Sequence, residues 1–346
     1  MHVLIIKTSS MGDVIHTLPA LTDAAKAIPD IRFDWVVEEN FAEIPRWNSH
    51  VAEVIPFAFR RWRKKLFAKE TYFAWRDFIK TLRAKKYDLI IDAQGLAKSA
   101  FVTALAKGPK AGLDWQSARE SLASLVYQKK YTVNFQQHAI MRARNLFSQA
   151  LGYTLPTSVP EYGIDRQQFQ ENSVENKEDF LVFLHGTTWA TKHWPEEYWL
   201  ALAKLVTQQG LKIKLPWGNM AEQQRAERIA ASCNNVEVLP KLNLASVAKV
   251  LANAKAIVAV DTGLGHLAAA LDIPTVSIYG PTNPILTGAL GKSQVHLTTT
   301  YHCAPCLKKE CPYTDNSPFK ELNAPCFTTI SPEKVWQAVG ALVLCD

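Results

Sequence analysis

A carboxylate stands at the first strand-to-helix turn of the sequence. Residues 9–23 read SSMGDVIHTLPALTD and follow the apolar run 3–6 directly, so Asp13 lies where a buried strand should give way to a helix. A carboxylate here could act as a general base, which is typically worth about 10²- to 10⁴-fold in rate. It could also only cap the helix, a role worth about 1 kcal/mol.

A group of polar side chains follows an apolar run in the second half of the chain. Residues 185–195, HGTTWATKHWP, carry Thr187, Thr188 and Lys192 just before a helix. Two hydroxyls, an ammonium group and backbone N–H groups suit the oxygens of a phosphate. The alternative is that the threonines only cap a turn.

A third segment places a carboxylate in the first turn of a helix. Residues 215–225, LPWGNMAEQQR, end a strand in Pro-Trp-Gly and bring Glu222 to the start of the next helix. This carboxylate could accept hydrogen bonds from ribose hydroxyls, or it could only interact favourably with the helix dipole.

The strongest local signal lies in residues 259–271, AVDTGLGHLAAAL. A buried strand leads to Asp261 and Thr262, and we expect a helix to begin near His266. A helix N-terminus with free N–H groups is suited to a pyrophosphate, and Gly263 would let the ligand approach the backbone. Asp261 would repel phosphate, so we expect it to bind sugar hydroxyls or the N–H groups of the helix.

The same segment satisfies a dinucleotide-binding pattern, Gly-x-Gly-x-x-Ala, through Gly263, Gly265 and Ala268. That pattern should be followed about 20 residues later by an acid for the ribose. No acidic residue stands between Asp272 and Glu310. The sequence therefore argues against a nicotinamide-dependent oxidoreductase, which stays open as an alternative.

Positive charge is concentrated in the first half of the chain. Residues 1–160 hold 23 Lys and Arg against 14 Asp and Glu, a balance of +9, whereas the remaining residues have a balance of −2. This asymmetry indicates an anionic partner for the first half, unless the run RRWRKK is only a solvated face. No nucleic-acid motif accompanies it. The candidate anion-binding residues are Arg60, Arg61, Arg63, Lys64, Arg119, His138 and Arg142.

Length and composition bound the class of protein. A chain of 346 residues should hold two domains, and 48% hydrophobic against 21% charged residues excludes a disordered chain. No signal peptide or membrane-spanning segment is expected, which predicts a cytoplasmic protein. We expect four cysteines in the tail (Cys303, Cys306, Cys311 and Cys326) to be reduced thiols. The alternative is that they are the ligands of one Zn²⁺ ion.

The elements that position these residues alternate between strand and helix. In the first half, strands are predicted at 3–6, 33–37 and 89–91, with a helix after the first strand and a long basic helical region before the third. The second half predicts strands at 180–184, 211–215, 236–239, 256–260 and 275–279, with helices between them. Such alternation predicts an α/β fold with two doubly wound parallel sheets. The predicted domains are 1–166 and 180–346, with a polar linker at 167–179.

Several segments together resemble heptosyltransferase I of glycosyltransferase family 9. They are KTSSMGDVIHTLPALTDA, DWVVEE, IDAQGLAKSA, LDWQSARESLASLVY, QQHAIMRARNLF, KHWPEEYW, IKLPWG and VDTGLGHLAAALD. The resemblance runs in order from residue 1 to about residue 292. It implies a GT-B fold, in which two Rossmann-like domains face each other across a cleft.

The resemblance also implies a reaction. An inverting glycosyltransferase would move L-glycero-D-manno-heptose from ADP-heptose to the first Kdo sugar of Kdo2-lipid A in lipopolysaccharide inner-core biosynthesis. The second half would bind the donor and the basic first half the acceptor. The protein would act at the cytoplasmic face of the inner membrane, in peripheral contact with its anionic surface and without nucleic acid.

Residue roles follow from the matching positions. Asp13 matches the general base, and Glu222 matches the ribose contact. The diphosphate contacts match Lys192, which would also assist departure of ADP, together with Thr187, Thr188, Thr262 and Gly263; Asp261 and His266 match further donor positions. With these groups available, the resemblance implies no metal or other cofactor.

The tail beyond residue 292 departs from the resemblance. Its cysteines resemble the ends of other family 9 members, so heptosyltransferase II, acting on heptosylated Kdo2-lipid A, stays open as an alternative. A non-catalytic protein that binds an anionic glycolipid also stays open, although it would leave Asp13, Lys192 and Glu222 without a function.

Overall fold

The chain divides into two compact units, Met1–Asp165 and Arg166–Asp346. The computed structural model describes residues 1–65, 67–170, 179–313 and 324–343. Most of the linker predicted at 167–179 lies outside the described residues. Its first residues belong to a 3-10 helix at Arg166–Phe169, in which Phe169 is buried.

The first unit is built on a parallel sheet of six strands in the order β3-β2-β1-β4-β5-β6. Strand β1 lies inside the sheet, where Ile5 pairs with Trp35 of β2 on one side and with Ile91 of β4 on the other. Its apolar residues suit this position because both faces of a parallel sheet are covered. The strands are β1 (His2–Ile6), β2 (Arg32–Glu38), β3 (Val51–Phe57), β4 (Leu89–Asp92), β5 (Lys110–Leu113) and β6 (Lys129–Tyr131).

Helices connect these parallel strands, as crossover connections require. The longest follows β1 directly and carries Asp13. The helices are α1 (Met11–Ala27), α2 (Glu43–Arg46), α3 (Phe59–Trp62), α4 (Lys69–Leu82), α5 (Ala97–Leu105) and α6 (Ala139–Leu151).

The second unit repeats the plan with a parallel sheet in the order β12-β11-β10-β7-β8-β9. Its core holds Phe183, Trp194, Trp199 and Phe327, all fully buried. The strands are β7 (Phe180–Leu184), β8 (Lys212–Leu215), β9 (Val236–Val238), β10 (Ala256–Val260), β11 (Thr275–Tyr279) and β12 (Gln294–Thr298). The helices are α7 (Glu196–Gln208), α8 (Met220–Ala230), α9 (Leu244–Ala252), α10 (Gly263–Ala270), α11 (Pro284–Thr287) and α12 (Pro332–Val343).

The predicted α/β class with two parallel sheets is confirmed, while two local predictions are wrong. Strand β3 forms inside the region that the sequence assigned to a long basic helix. It is an edge strand, where Pro56 is tolerated. Helix α10 begins at Gly263 rather than near His266, because Thr262 takes the N-cap position. In the part of the chain that the structure describes, no helix is long and apolar enough to cross a membrane.

Candidate functional site

The Asp13 carboxylate does cap helix α1. Its Oδ2 accepts hydrogen bonds from the backbone N–H and the hydroxyl of Ser10, both at 2.7 Å, and the two residues form a capping box. Both bonds end on Oδ2 and do not engage Oδ1. The structural function therefore exists, and it leaves an oxygen of the same carboxylate for another partner.

The surroundings of Asp13 keep this carboxylate ionised. Burial opposes ionisation, but the charge of Lys7, the hydrogen bonds from Ser10 and the charge of Arg119 outweigh it, so the pKa of Asp13 lies below its usual value. Lys7 donates to the carbonyl of Ala93 at 2.9 Å. Burial lowers the pKa of Lys7, and Asp13 opposes that effect. The two groups thus favour each other's charged forms.

A side-chain network from the end of β4 holds the turn that precedes α1. Gln94 Oε1 accepts from the backbone N–H of Thr8 at 2.6 Å, and Gln94 Nε2 donates to the carbonyl of Ser9 at 2.8 Å. Asp92, fully buried, accepts from the backbone N–H of Gln94 at 2.9 Å and from the Tyr127 hydroxyl at 2.7 Å. The sequence analysis missed Gln94, although its position after a strand beside β1 could have indicated it.

Two of the predicted cations lie in the electrostatic surroundings of Asp13. Arg119 is exposed and lowers the pKa of both Asp13 and Arg142. The Arg142 guanidinium donates to the carbonyl of Ser117 at 3.0 Å and lies over the Phe135 ring at 3.9 Å. Burial is the largest cause that lowers the pKa of Arg142. These contacts hold the Arg142 guanidinium in a defined orientation near Asp13.

His138 has a structural function in addition to any binding function. As N-cap of α6 its Nδ1 accepts from the backbone N–H of Ile140 at 3.1 Å. Its ring packs edge-to-face on the buried His16 of α1, with 5.6 Å between the ring centroids. No sequence pattern indicated a function for His16.

The basic run of residues 60–65 is exposed except for Trp62, and part of its charge is already paired. Arg61 forms an ion pair with Glu39 at 2.9 Å, and the Arg60 guanidinium lies over the Phe41 ring. The side chains of Arg63 and Lys64 are exposed to solvent.

Lys98 is a cation that the sequence analysis did not select. It lies at the start of α5 and donates to the Ser9 hydroxyl at 2.9 Å. Burial lowers the pKa of Lys98 and the charge of Glu38 opposes that effect; smaller effects come from the charges of Arg60, Asp13 and Arg63. Lys98 therefore connects the basic run with the turn that carries Asp13.

In the second unit, Lys192 forms an ion pair with Asp261. The Lys192 ammonium lies 2.7 Å from Asp261 Oδ2 and 4.5 Å from the centroid of the Trp189 ring. The Thr187 hydroxyl donates to the Asp261 carbonyl at 3.0 Å, which joins the loops after β7 and β10. Sugar hydroxyls or helix N–H groups stay the predicted partners of Asp261, and the structure adds a cation, which compensates a carboxylate that is largely buried.

Two contacts anchor the segment that carries Lys192. The buried Trp194 indole donates to the carbonyl of Ile330 at 3.1 Å, and the Thr191 hydroxyl donates to the carbonyl of Lys308 at 2.8 Å. Thr188 is exposed in the same loop. The predicted phosphate contacts Thr187 and Lys192 are thus brought together at one end of the sheet.

The first turn of α10 completes this group. Thr262 is the N-cap and Gly263 the first helical residue, so backbone N–H groups point out of the helix start. His266 is buried, with Nε2 3.9 Å from Asp261 Oδ1. The positions predicted for a diphosphate therefore lie on adjacent loops of one unit.

Glu222 lies against the backbone of the neighbouring loop. Its Oε2 accepts from the backbone N–H of Gly218 at 2.7 Å, and Asn219 caps α8 by accepting from the Glu222 N–H at 3.0 Å. A Cβ placed on Gly186 would lie 2.6 Å from Glu222 Cδ, whereas one on Gly218 would lie 3.4 Å from Glu222 Oε2. Only a glycine at position 186 leaves the carboxylate this position.

The four tail cysteines surround one small cavity. Cys303, Cys306, Cys311 and Cys326 line a space of about 10 Å³, and all four are free thiols. Burial raises the pKa of Cys326 to about 12. Within the described ranges no group of three or more His, Cys, Asp or Glu side chains is arranged to hold a metal ion. The structure therefore does not support the zinc hypothesis for these cysteines.

The chain is similar to known heptosyltransferases. Lipopolysaccharide heptosyltransferase 1 of Pseudomonas aeruginosa is 56% identical over 99% of this chain and 98% of its own length, so the similarity includes the cysteine-bearing tail. Its counterpart in Escherichia coli K12 is 55% identical over 85% of this chain and 92% of its own. The solved structure of E. coli heptosyltransferase WaaC with ADP is 49% identical, covers 99% of both chains and has a TM-score of 0.86.

Heptosyltransferase 2 proteins are more distant. That of Salmonella typhimurium is 29% identical over 63% of this chain and 58% of its own length. The family model described as glycosyltransferase family 9 (heptosyltransferase) matches residues 75–316. The chain is a glycosyltransferase and belongs to glycosyltransferase family 9, the heptosyltransferases.

Proposed function

We propose that the protein transfers L-glycero-D-manno-heptose from ADP-heptose to the first Kdo sugar of Kdo2-lipid A, with inversion. The observation that carries this proposal is the ionised Asp13, held at the β1–α1 turn of a chain that is similar to heptosyltransferase 1 over nearly its whole length. The greater distance of the heptosyltransferase 2 proteins favours the unheptosylated acceptor.

Asp13 acts as the general base in this proposal. Its Oδ1 takes the proton from the attacking hydroxyl of the Kdo sugar, while that oxygen forms a bond to the anomeric carbon of the heptose. The bond from the anomeric carbon to ADP breaks on the opposite face, and ADP leaves with the electron pair. A single displacement of this kind inverts the anomeric centre.

The second unit binds the donor and stabilises the departing ADP. Lys192, the Thr187 and Thr188 hydroxyls and the N–H groups at the start of α10 bind the diphosphate, since preorganised donors aimed at developing charge are usually the largest catalytic contribution. Asp261 holds Lys192 in place, and His266 lies beside it. Glu222 accepts hydrogen bonds from the ribose hydroxyls.

The basic residues of the first unit bind the carboxylates and phosphates of the acceptor. They are Arg60, Arg61, Arg63, Lys64, Arg119, His138 and Arg142. The same positive charge brings the protein to the cytoplasmic face of the inner membrane, because an anionic surface attracts basic residues by about 1 kcal/mol each. The contact is peripheral in this proposal.

An assay of the purified protein with ADP-heptose tests the assignment. One reaction contains Kdo2-lipid A, another contains the already heptosylated acceptor, and ADP release is measured with product mass. Turnover confined to the unheptosylated acceptor is expected. Turnover confined to the heptosylated acceptor would assign the protein to the second heptose position instead.

A further inference from the structure

The first unit contains an aromatic pocket that the proposed reaction does not use. Its volume is about 440 Å³, within the range of about 300–1,000 Å³ that is usual for small-molecule sites. Its aromatic walls are Phe57, Phe59, Trp62, Tyr72, Trp75 and Phe101. Strand β3 and helices α3, α4 and α5 supply these side chains, so the pocket belongs to the framework of the unit.

The pocket has a buried base and an apolar rim in contact with solvent. Phe57 and Trp62 are 2% and 6% exposed, whereas Tyr72 and Phe101 are 62% and 54% exposed. Phe101 stacks on Trp75 with 5.9 Å between the ring centroids. Large exposed apolar surface around a concavity marks a binding site on a soluble protein.

One polar group in the pocket wall lacks a partner. The Trp62 indole Nε1 is buried and makes no hydrogen bond within the described part of the chain. A buried N–H that lacks an acceptor lowers the stability of the fold by roughly the free energy of desolvating that group. A ligand that brings a carbonyl oxygen beside its apolar part would satisfy this donor.

The rim of the pocket is positively charged and borders the Asp13 turn. Arg63 and Lys98 line it together with the aromatic residues. Lys98 also donates to Ser9 Oγ at 2.9 Å, in the turn that leads into α1. A molecule that occupies the pocket therefore meets cations at its mouth, a short distance from the turn that carries Asp13.

We propose that this pocket binds a fatty acyl chain of the anionic acceptor glycolipid itself. The apolar chain packs on the aromatic walls, Trp62 donates to the carbonyl of the acyl linkage, and Arg63 and Lys98 interact with the anionic groups of the same molecule. This inference rests on the proposed function, because it assigns the lipid part of the acceptor whose sugar reaches Asp13.

The test compares acylated Kdo2-lipid A in detergent micelles with the same acceptor after chemical deacylation. Phe101→Ser and Tyr72→Ser change exposed rim residues and leave the buried base intact. We expect the KM for the acylated acceptor to rise about tenfold, equivalent to about 1.4 kcal/mol. The KM for the deacylated acceptor and for ADP-heptose should not change.

Phe73→Ser is the matched control. Phe73 is 51% exposed on the same helix as Tyr72 but does not line the pocket. It should leave both acceptors unaffected. Trp62→Phe removes the N–H while keeping an aromatic ring, and we expect it to raise the KM for the acylated acceptor selectively.

Two results would overturn the inference. The first is that the rim variants leave the acylated acceptor unaffected, or weaken both acceptors equally. The second is that they lose binding to vesicles of anionic phospholipid while the KM for the acylated acceptor stays unchanged, which would assign the pocket to bulk membrane lipid. If the wild-type protein turns over neither acceptor, the proposed function fails instead.

Discussion

The Asp13 carboxylate combines two functions at the scale of a single residue. Its Oδ2 closes the first turn of α1, and its Oδ1 is the oxygen that we assign to proton transfer. The sequence was compatible with a helix cap and with a general base, and it did not distinguish between them. The structure shows that they use different oxygens, so they can be separated by a substitution that keeps the acceptor and removes the basicity.

Asp13→Asn makes this separation. The amide oxygen can still accept from Ser10, so we expect the midpoint temperature of unfolding to change by only a few degrees, as for a change of under about 1 kcal/mol. The kcat should fall about 10²- to 10⁴-fold because the amide cannot take a proton. Both are measured on the purified variant, by ADP release and by calorimetry.

Ser10→Ala provides the control for the cap. It removes the hydroxyl that bonds to Asp13 but keeps the carboxylate, so it should cost stability and little kcat. A kcat for Asp13→Asn within about threefold of wild type would exclude Asp13 as a base that contributes at this level.

Lys7 should set the acid limit of the reaction. Its charge is the largest influence that lowers the pKa of Asp13, so Lys7→Met should raise that pKa. A base is inactive when protonated, and therefore kcat/KM should begin to fall at a higher pH in the variant as the solution is acidified. The profile of kcat/KM against pH measures this directly.

Lys85→Met is a matched control for the pH profile. Lys85 pairs with Asp34 and Glu53, and its charge is not among the causes that shift the pKa of Asp13. The variant should keep the acid limb of the wild-type profile. An unchanged limb in Lys7→Met would show that another group controls the decline.

The two acids that we assign to catalysis and to ribose binding occupy the same position at the start of a helix. Asp13 and Glu222 are each the third residue of a helix that follows a parallel strand, β1–α1 and β8–α8. Each accepts a hydrogen bond from a backbone N–H just before its helix. The helix start thus orients a carboxylate whose remaining oxygen can meet a ligand.

Gly186→Ala should disturb the ribose contact without unfolding the unit. The new Cβ would lie 2.6 Å from Glu222 Cδ, at the far end of a flexible side chain, so the carboxylate should move rather than the backbone. We expect the KM for ADP-heptose to rise severalfold, in line with about 1 kcal/mol for a lost hydrogen bond. The acceptor KM should stay unchanged.

Gly218→Ala serves as the matched control, because its Cβ would be 3.4 Å from the same carboxylate, an ordinary contact. It should leave the donor KM near the wild-type value. Equal effects of the two alanines would show that Glu222 does not need its position against residue 186.

Apolar runs predicted eight of the twelve strands in the described residues, whereas β3, β5, β6 and β12 were missed. Strands β7, β10 and β11 coincide with their predicted bounds because continuous apolar runs admit no other placement. The edge strand β3, which has an irregular burial pattern and contains Pro56, was assigned to a helix. Gln94 and the ion pair of Lys192 with Asp261 depend on neighbours 69 to 86 residues away in sequence, which no local pattern records.

The distribution of charge is the property of the whole molecule that bears most on function. The positive balance of residues 1–160 contrasts with the slightly negative balance of the rest. This asymmetry suits the unit that carries Asp13 to an anionic acceptor, while in our proposal the second unit uses Lys192 and the α10 N-terminus for its phosphate contacts.

Turnover should survive chelation of divalent metals. Lys192 and the N–H groups at the start of α10 already supply positive charge to the departing diphosphate in our proposal. We expect kcat in excess EDTA to stay within about twofold of the untreated enzyme, whereas Lys192→Ala should lower kcat at least about tenfold. Loss of activity with EDTA that Mg²⁺ restores would contradict this.

Ionic strength should affect the two substrates differently. The Debye length falls from about 10 Å at 0.1 M salt to about 3 Å at 1 M, so attraction between exposed cations and an anionic acceptor weakens as salt is added. We expect the KM for the deacylated acceptor to rise severalfold between about 0.05 and 0.5 M salt. The KM for ADP-heptose should change less, because Lys192 is largely buried beside Asp261.

Charge reversal locates this effect on the molecule. Lys64→Glu and Lys204→Glu change the net charge equally, and both lysines are exposed, one in the basic run of the first unit and one on α7 of the second. Lys64→Glu should raise the acceptor KM and flatten its dependence on salt, while Lys204→Glu should do neither. Equal effects of the two reversals would mean that the net charge of the protein, rather than the basic run, attracts the acceptor.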